Sequence, residues 1–148
     1  MSEVEEMLQR VTEPIVGIGV DAVDVSRFRD ILNRRPGFAA RYFSPQERSD
    51  AERTPNASES LAARFAAKEA VMKAFGSGLG AFALTDVEVA RAPGEGSLSG
   101  APTLLLHGGA AELAQRLQAG QLHLSLTHTS EVAIAFVVAE RLRSCSPS

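Results

Sequence analysis

The stretch Leu61 to Phe75 constrains the fold more than any other part of this 148-residue chain. It holds six alanines, at 62, 63, 66, 67, 70 and 74, and neither glycine nor proline. Such a run has high intrinsic helix propensity. Leu61, Phe65, Met72 and Phe75 give it an apolar side, while Arg64, Lys68, Glu69 and Lys73 are charged. Glu69 and Lys73 are four residues apart and share a face, and Arg64 and Lys68 share an adjacent stripe. One reading is a surface helix with a single Glu–Lys pair. The other starts from the small residues around the charges. They allow close approach to a sheet or another helix, and charges drawn inward that way need partners such as a metal or a phosphate.

Gly76-Ser-Gly-Leu-Gly80 ends this helix. Three glycines in five residues can turn backbone N–H groups toward a diphosphate, or can simply stop a helix. The loop follows a helix and lacks a Gly-Lys-Ser/Thr, so it is neither a P-loop nor a dinucleotide fingerprint. Upstream, Ile15-Val-Gly-Ile-Gly-Val20 reads as a strand ending at Asp21. Its glycines leave room for a ligand, another chain or an adjoining element. Asp21 is an oxygen ligand at a sheet edge or a cap for the helix expected from Asp24 to Asn33. Ser44-Pro-Gln-Glu47 opens a short helix with a capping box. Strands are expected at Thr85–Ala90 and Thr103–Leu106, a helix at Gly108–Gln118, and two strands at His123–His128 and Val132–Val138. The order makes the class α+β. No linker divides the chain: residues 1–13 read as an acidic leader, 14–142 as one domain and 143–148 as a tail.

Composition excludes several classes. The formal net charge is −3, against a protein dominated by nucleic-acid backbone binding. The longest apolar run, Val132 to Ala139, is too short to span a bilayer. The leader has four glutamates and no apolar segment of signal-peptide type. The only cysteine, Cys145, cannot form an internal disulfide, which points to a reducing cytoplasm. Charge is uneven, however. Between Arg27 and Phe43 lie five arginines (27, 29, 34, 35 and 41) and one acid, Asp30. Of fifteen basic side chains only Lys68 and Lys73 are lysines. His123-Leu-Ser-Leu-Thr-His-Thr129 ends in a histidine and a threonine able to hold a phosphate, or in an exposed turn. With no HExxH, no CxxC and no third ligand at zinc spacing, a zinc site is not expected. Asp21 and Glu69 instead suit Mg²⁺, which keeps waters and substrate phosphates in its shell. The set as a whole points to transfer or cleavage at a phosphoric anhydride.

Val16-Gly-Ile-Gly-Val-Asp-Ala-Val-Asp-Val-Ser-Arg-Phe28 resembles the opening signature of the holo-acyl-carrier-protein synthases, the small bacterial 4′-phosphopantetheinyl transferases. Arg64-Phe-Ala-Ala-Lys-Glu-Ala-Val-Met-Lys-Ala-Phe-Gly76 is similar to their second signature. His123–Thr129, followed by Val132–Val138, is similar to their closing strands, and Phe43-Ser-Pro-Gln-Glu47 also fits. The resemblance covers roughly residues 15–142. It implies a single small domain, a mostly antiparallel sheet packed against a long helix, and transfer of phosphopantetheine from coenzyme A to a serine of an acyl carrier protein. Asp21 and Glu69 are then expected to ligate Mg²⁺, and Lys73 to neutralise the phosphate under attack. Lys68 or Arg64, with His128 and Thr129, is expected to hold the adenosine and 3′-phosphate end, with Gly78, Gly80 and the turn at Pro102 lining that pocket. The general base is open between a metal-bound water and Asp24. Arg27, Arg29, Arg34, Arg35 and Arg41 become a docking stripe for an acidic carrier helix, with Phe28 or Phe38 as apolar anchors. The resemblance also implies a homotrimer with active sites at subunit interfaces, the alanines of the long helix packing there. The alternatives are a Mg²⁺-dependent coenzyme A diphosphate hydrolase and a non-catalytic module that binds carrier protein or coenzyme A.

Overall fold

A computed structural model describes residues 2–5, 13–77, 80–92 and 100–143. Strand β1 (Ile15–Asp24) leads into α1 (Val25–Arg34), α2 (Phe38–Tyr42), α3 (Pro45–Glu52) and α4 (Ala57–Ala74). A 3₁₀ turn (Leu84–Asp86), β2 (Val87–Arg91), β3 (Pro102–Leu106), α5 (Gly108–Arg116), β4 (Ala119–His128) and β5 (Val132–Arg141) follow. The main sheet is antiparallel, in the order β1-β5-β4, and β2-β3 form a separate antiparallel ribbon.

Alternation along the strands decides what faces α4. Gly17, Gly19, Asp21 and Val23 of β1 lie opposite Ala139, Val137, Ala135 and Ala133 of β5. All four of these β5 residues are buried. On the helix side, Ala66, Ala67, Ala70 and Ala74 are buried in the same cluster. Small residues thus meet small residues, and the helix backbone comes down almost onto β1. A Cβ on Gly17 would stand 1.9 Å from the Ala74 carbonyl oxygen, and one on Gly19 1.8 Å from that of Ala70. The β1 glycines therefore make room for the protein's own helix, not for a ligand. The alanines of α4 likewise pack against its own sheet, which corrects their expected place at a subunit boundary.

A second core lies under α1–α3. Phe28, Phe43, Phe38 and Phe65 meet there, Phe28 at 5.8 Å from Phe38 and 5.4 Å from Phe65 between ring centroids. Phe28 is 3% exposed, so it is a core residue and not a docking anchor. Phe38 is half-buried, packed on Phe28 and Tyr42.

Several bounds differ from expectation. Helix α4 begins at Ala57, four residues early, because the Asn56 side chain accepts from the Glu59 amide and caps it. Pro102 opens strand β3 opposite Arg91 instead of forming a turn. The first residue of a strand is a place proline tolerates. Helix α2 was not foreseen. Gly78 and Cys145 fall outside the described residues.

Candidate functional site

The two charged stripes of α4 separate in space. Glu69 and Lys73 meet Asp21, which β1 presents on its helix-facing side. The Lys73 ammonium donates to Asp21 Oδ1 at 2.9 Å and to the Val20 carbonyl at 3.0 Å. Its side chain is 54% exposed, that of Asp21 only 17%. Burial first, and the nearby Asp21 charge second, push the Glu69 carboxyl above its ordinary value, while Lys73 pulls it back. The exposed ammonium thus pairs with Asp21 and acts on Glu69 only from farther off. The surplus negative charge at the mouth of a sheet–helix junction is what a divalent cation would relieve. The donor set fits Mg²⁺: two protein oxygens, with the rest of the shell left for water and phosphate oxygens. Among the described residues no group of three or more His, Cys, Asp or Glu side chains could hold a metal ion by itself.

Lys68 goes the other way. Its ammonium is completely buried and lies 2.9 Å from Glu47 Oε1, itself completely buried. It also donates to the carbonyls of Leu84, at 3.0 Å, and Val87. Glu47 closes the capping box of α3 with Ser44 and accepts the Val89 amide at 3.2 Å. Burial lowers the affinity of Lys68 for its proton, and Glu47 offsets this only in part. All three donors of Lys68 are used, so the expectation that it grips a phosphate is corrected: it ties α3, α4 and β2 together.

Arg64 is 8% exposed and donates to the Ser60 hydroxyl and, at 3.3 Å, to its carbonyl. Burial lowers its proton affinity, partly offset by Asp50 and Glu47. Its Nε has no partner, and among the described residues no carboxylate stands within ion-pair distance of it. Ser60, which Arg64 grips, is among the residues lining a cavity of about 270 Å³, with Thr54, Pro55, Asn56, Glu59 and His128. His128 Nδ1 lies 3.2 Å from Glu59 Oε2. Thr129 Oγ1 accepts the amides of Glu131 and Val132, both at 3.1 Å. Those bonds shape the hairpin and leave the hydroxyl proton free to be given to an anion. A larger groove, lined by Pro14, Ile15, Gln118, Arg141 and Leu142 among others, lies at the opposite end of the sheet. Size alone does not make it the reactive site, since Asp21, Glu69 and Lys73 are elsewhere.

Gly80, at φ +92°, is exposed. Asp24 caps α1 by accepting the Arg27 amide at 2.9 Å. Arg27, Arg34, Arg35 and Arg41 are exposed along α1 and α2, with Arg29 half-buried. Sequence reading missed Glu59 and the partner role of Glu47. Their signal was present as a carboxylate in the first turn of each capped helix.

The family model for the 4′-phosphopantetheinyl transferase superfamily matches residues 17–137. A holo-[acyl-carrier-protein] synthase of Frankia alni is 51% identical over 126 residues, covering 85% of this chain and 98% of that protein. One from Koribacter versatilis is 43% identical over 128 residues, with 85% and 98% covered. A crystal structure of the Bacillus anthracis holo-(acyl-carrier-protein) synthase in complex with CoA (3′,5′-ADP) superposes with a TM-score of 0.69 at 32% identity, covering 88% of this chain and 100% of that one. The Helicobacter pylori enzyme in complex with coenzyme A gives 0.69 at 30% identity, with 82% and 98% covered.

Proposed function

The chain belongs to the 4′-phosphopantetheinyl transferase superfamily, and we propose that Asp21, Glu69 and Lys73 form its reaction centre. It transfers the 4′-phosphopantetheine group of coenzyme A to a serine hydroxyl of apo-acyl carrier protein, releasing adenosine 3′,5′-bisphosphate. The observation that carries the assignment of the centre is the convergence of two carboxylates and one exposed ammonium from elements 52 residues apart in sequence.

Asp21 and Glu69 would hold Mg²⁺. Bound there, the ion would offset charge on the coenzyme A diphosphate, whose transfer needs positioning and charge neutralisation more than a protein nucleophile. Lys73 keeps two of its three protons on Val20 and Asp21. The third can be given to an oxygen of the phosphate under attack. The attacking hydroxyl belongs to the carrier. Arg64, His128 and Thr129 would hold the adenosine 3′-phosphate. A nearly buried guanidinium without a carboxylate partner is a site waiting for an anion. Lys68 is withdrawn from that set. Gly80 would border the pocket.

The exposed arginines 27, 34, 35 and 41 would steer the acidic carrier. The outer face of the main sheet carries Ile18, Val20 and Phe136, each more than 40% exposed. A one-sided antiparallel sheet normally turns polar residues outward, so this apolar face supports association of copies, read here as a trimer with sites at its boundaries. No helix among the described residues is long and apolar enough to cross a membrane. A cytoplasmic location is our reading of the single cysteine.

Mass spectrometry of an apo-carrier incubated with the protein, coenzyme A and Mg²⁺ tests the reading. A gain of one phosphopantetheine on the carrier is expected. Coenzyme A cleavage without a carrier would favour a hydrolase, and binding without mass gain a non-catalytic module.

A further inference from the structure

The cavity between α4 and the end of β4 contains a residue that its proposed ligand does not explain. A carboxylate, Glu59, stands 3.2 Å from the histidine expected to meet a phosphate. Its side chain is 16% exposed, against 46% for His128. Glu59 is the third residue of α4, and its amide is satisfied by Asn56. The equivalent residue of α3, Glu47, returns its carboxylate to its own helix cap. Glu59 instead presents its carboxylate to β4.

An ionised carboxylate only accepts hydrogen bonds. At this separation the favourable arrangement places a proton on His128 Nδ1. That choice decides the chemistry of the other ring nitrogen. In the doubly protonated ring Nδ1–H faces Glu59, which holds the ring in place and leaves Nε2–H as the donor to an anion. Carboxylates behind ligating histidines act in this way elsewhere. The neighbouring cation is anchored similarly, Arg64 on Ser60. Two consecutive residues in the first turn of α4, Glu59 and Ser60, thus each contact a side chain that the proposed function gives to the anion, His128 and Arg64.

We propose that Glu59 is a positioning residue: it fixes the orientation of the His128 ring, and through it the preference for coenzyme A over coenzyme A lacking the 3′-phosphate. The inference rests on the reading of His128 as a phosphate-binding residue. A competing possibility is that Glu59 repels the incoming phosphate and acts as a gate.

The test compares wild type, Glu59→Gln and His128→Gln in steady-state transfer to apo-carrier, using coenzyme A and 3′-dephospho-coenzyme A as alternative donors. Glutamine keeps the size and amide of the first-turn residue and is itself accepted in capping boxes, so the fold is expected to persist. Thermal unfolding checks that it does. For Glu59→Gln the KM for coenzyme A should rise about tenfold, the scale on which partners of ligating histidines act. Its kcat, and its KM for the dephospho donor, should stay within about twofold of wild type. An unchanged donor preference in Glu59→Gln, alongside a lost preference in His128→Gln, overturns the role of Glu59 alone. An unchanged preference in both overturns the phosphate reading of His128. A lower KM for coenzyme A in Glu59→Gln overturns positioning in favour of repulsion.

Discussion

Gly19→Ala probes the link between backbone packing and the reaction centre. The added Cβ would stand 1.8 Å from the Ala70 carbonyl oxygen and 2.8 Å from the Ala74 amide nitrogen. Both are backbone atoms of α4, so no rotamer change can relieve the clash. Restoring even a 3.0 Å contact requires β1 and α4 to part by about 1.2 Å. Overpacking of this kind costs about 1–3 kcal/mol. For a chain of this size that lowers the melting temperature by roughly 2–12 °C and leaves the protein folded at 25 °C. Activity should suffer more. Asp21 is two residues along on the same face and Lys73 is on the displaced helix, so their 2.9 Å contact opens beyond hydrogen-bond range. A misplacement of about 1 Å can cost about a hundredfold in rate. The assay is carrier modification under saturating coenzyme A at 25 °C, paired with thermal unfolding. Gly37→Ala is the control. Nothing lies within 4 Å of its added Cβ and its φ is negative, so rate and melting temperature should stay near wild type. A folded Gly19→Ala protein with wild-type kcat would refute the claim that this close approach sets the geometry of the centre.

Glu69→Gln should abolish transfer. Because its carboxyl is held above the ordinary value in the fold, its ionisation subtracts stability as pH rises from the unfolded-state pKa through the raised one. The metal-free variant should therefore melt above metal-free wild type at neutral pH, and Mg²⁺ should raise the melting temperature of wild type only; equal responses to Mg²⁺ would remove Glu69 from the metal shell. Arg27→Glu should raise the KM for carrier protein more than that for coenzyme A, and equal effects would mean that α1 is not the docking face. Lys68→Met leaves Glu47 buried without its counter-charge and should cost about 3–5 kcal/mol in urea unfolding, whereas a loss below about 1 kcal/mol would show that Lys68 is not the tie between α3 and β2. Phe136→Asp should lower the mass seen by light scattering after gel filtration, and an unchanged mass would rule out the outer sheet face as the contact between copies.

Legibility in the sequence followed the range of the interactions. The long helix, the capping box at Ser44 and the alternating strands rest on contacts a few residues apart, and each is present near its expected place. The start of α4 is set by a local signal too, Asn56 with Glu59 three residues later, but the alanine-rich run that marks the helix begins only after Leu61. Helix α2 is only five residues long and follows Pro36-Gly37, so it leaves little pattern to find. The roles of Arg64, Lys68, Glu69 and Lys73 could not be sorted by helical spacing. The alanines at 62, 63, 66, 67, 70 and 74 share one face of about 140°, but the rest of α4 mixes charged with apolar side chains, so no polar stripe announces which charges face inward. What sorts them lies far along the chain: Glu47 is 21 residues from Lys68, and Asp21 is 52 from Lys73.

That division has a physical consequence for the centre. Lys68 and Glu69 are adjacent, so they point about 100° apart around the helix axis. Pinning Lys68 on Glu47, Leu84 and Val87 removes the freedom of α4 to rotate, and Glu69 is thereby turned toward Asp21. The glycines of β1 set the distance between strand and helix, and the buried lysine sets the helix's rotation. Neither touches a substrate in this reading, yet together they determine whether two carboxylates on separate elements can share one ion. The sequence block Lys68-Glu69 thus joins a structural cation to a reactive anion. A lysine-to-arginine exchange at 68 would keep the charge, but the bulkier planar guanidinium does not fit the three converging oxygens that a compact ammonium satisfies.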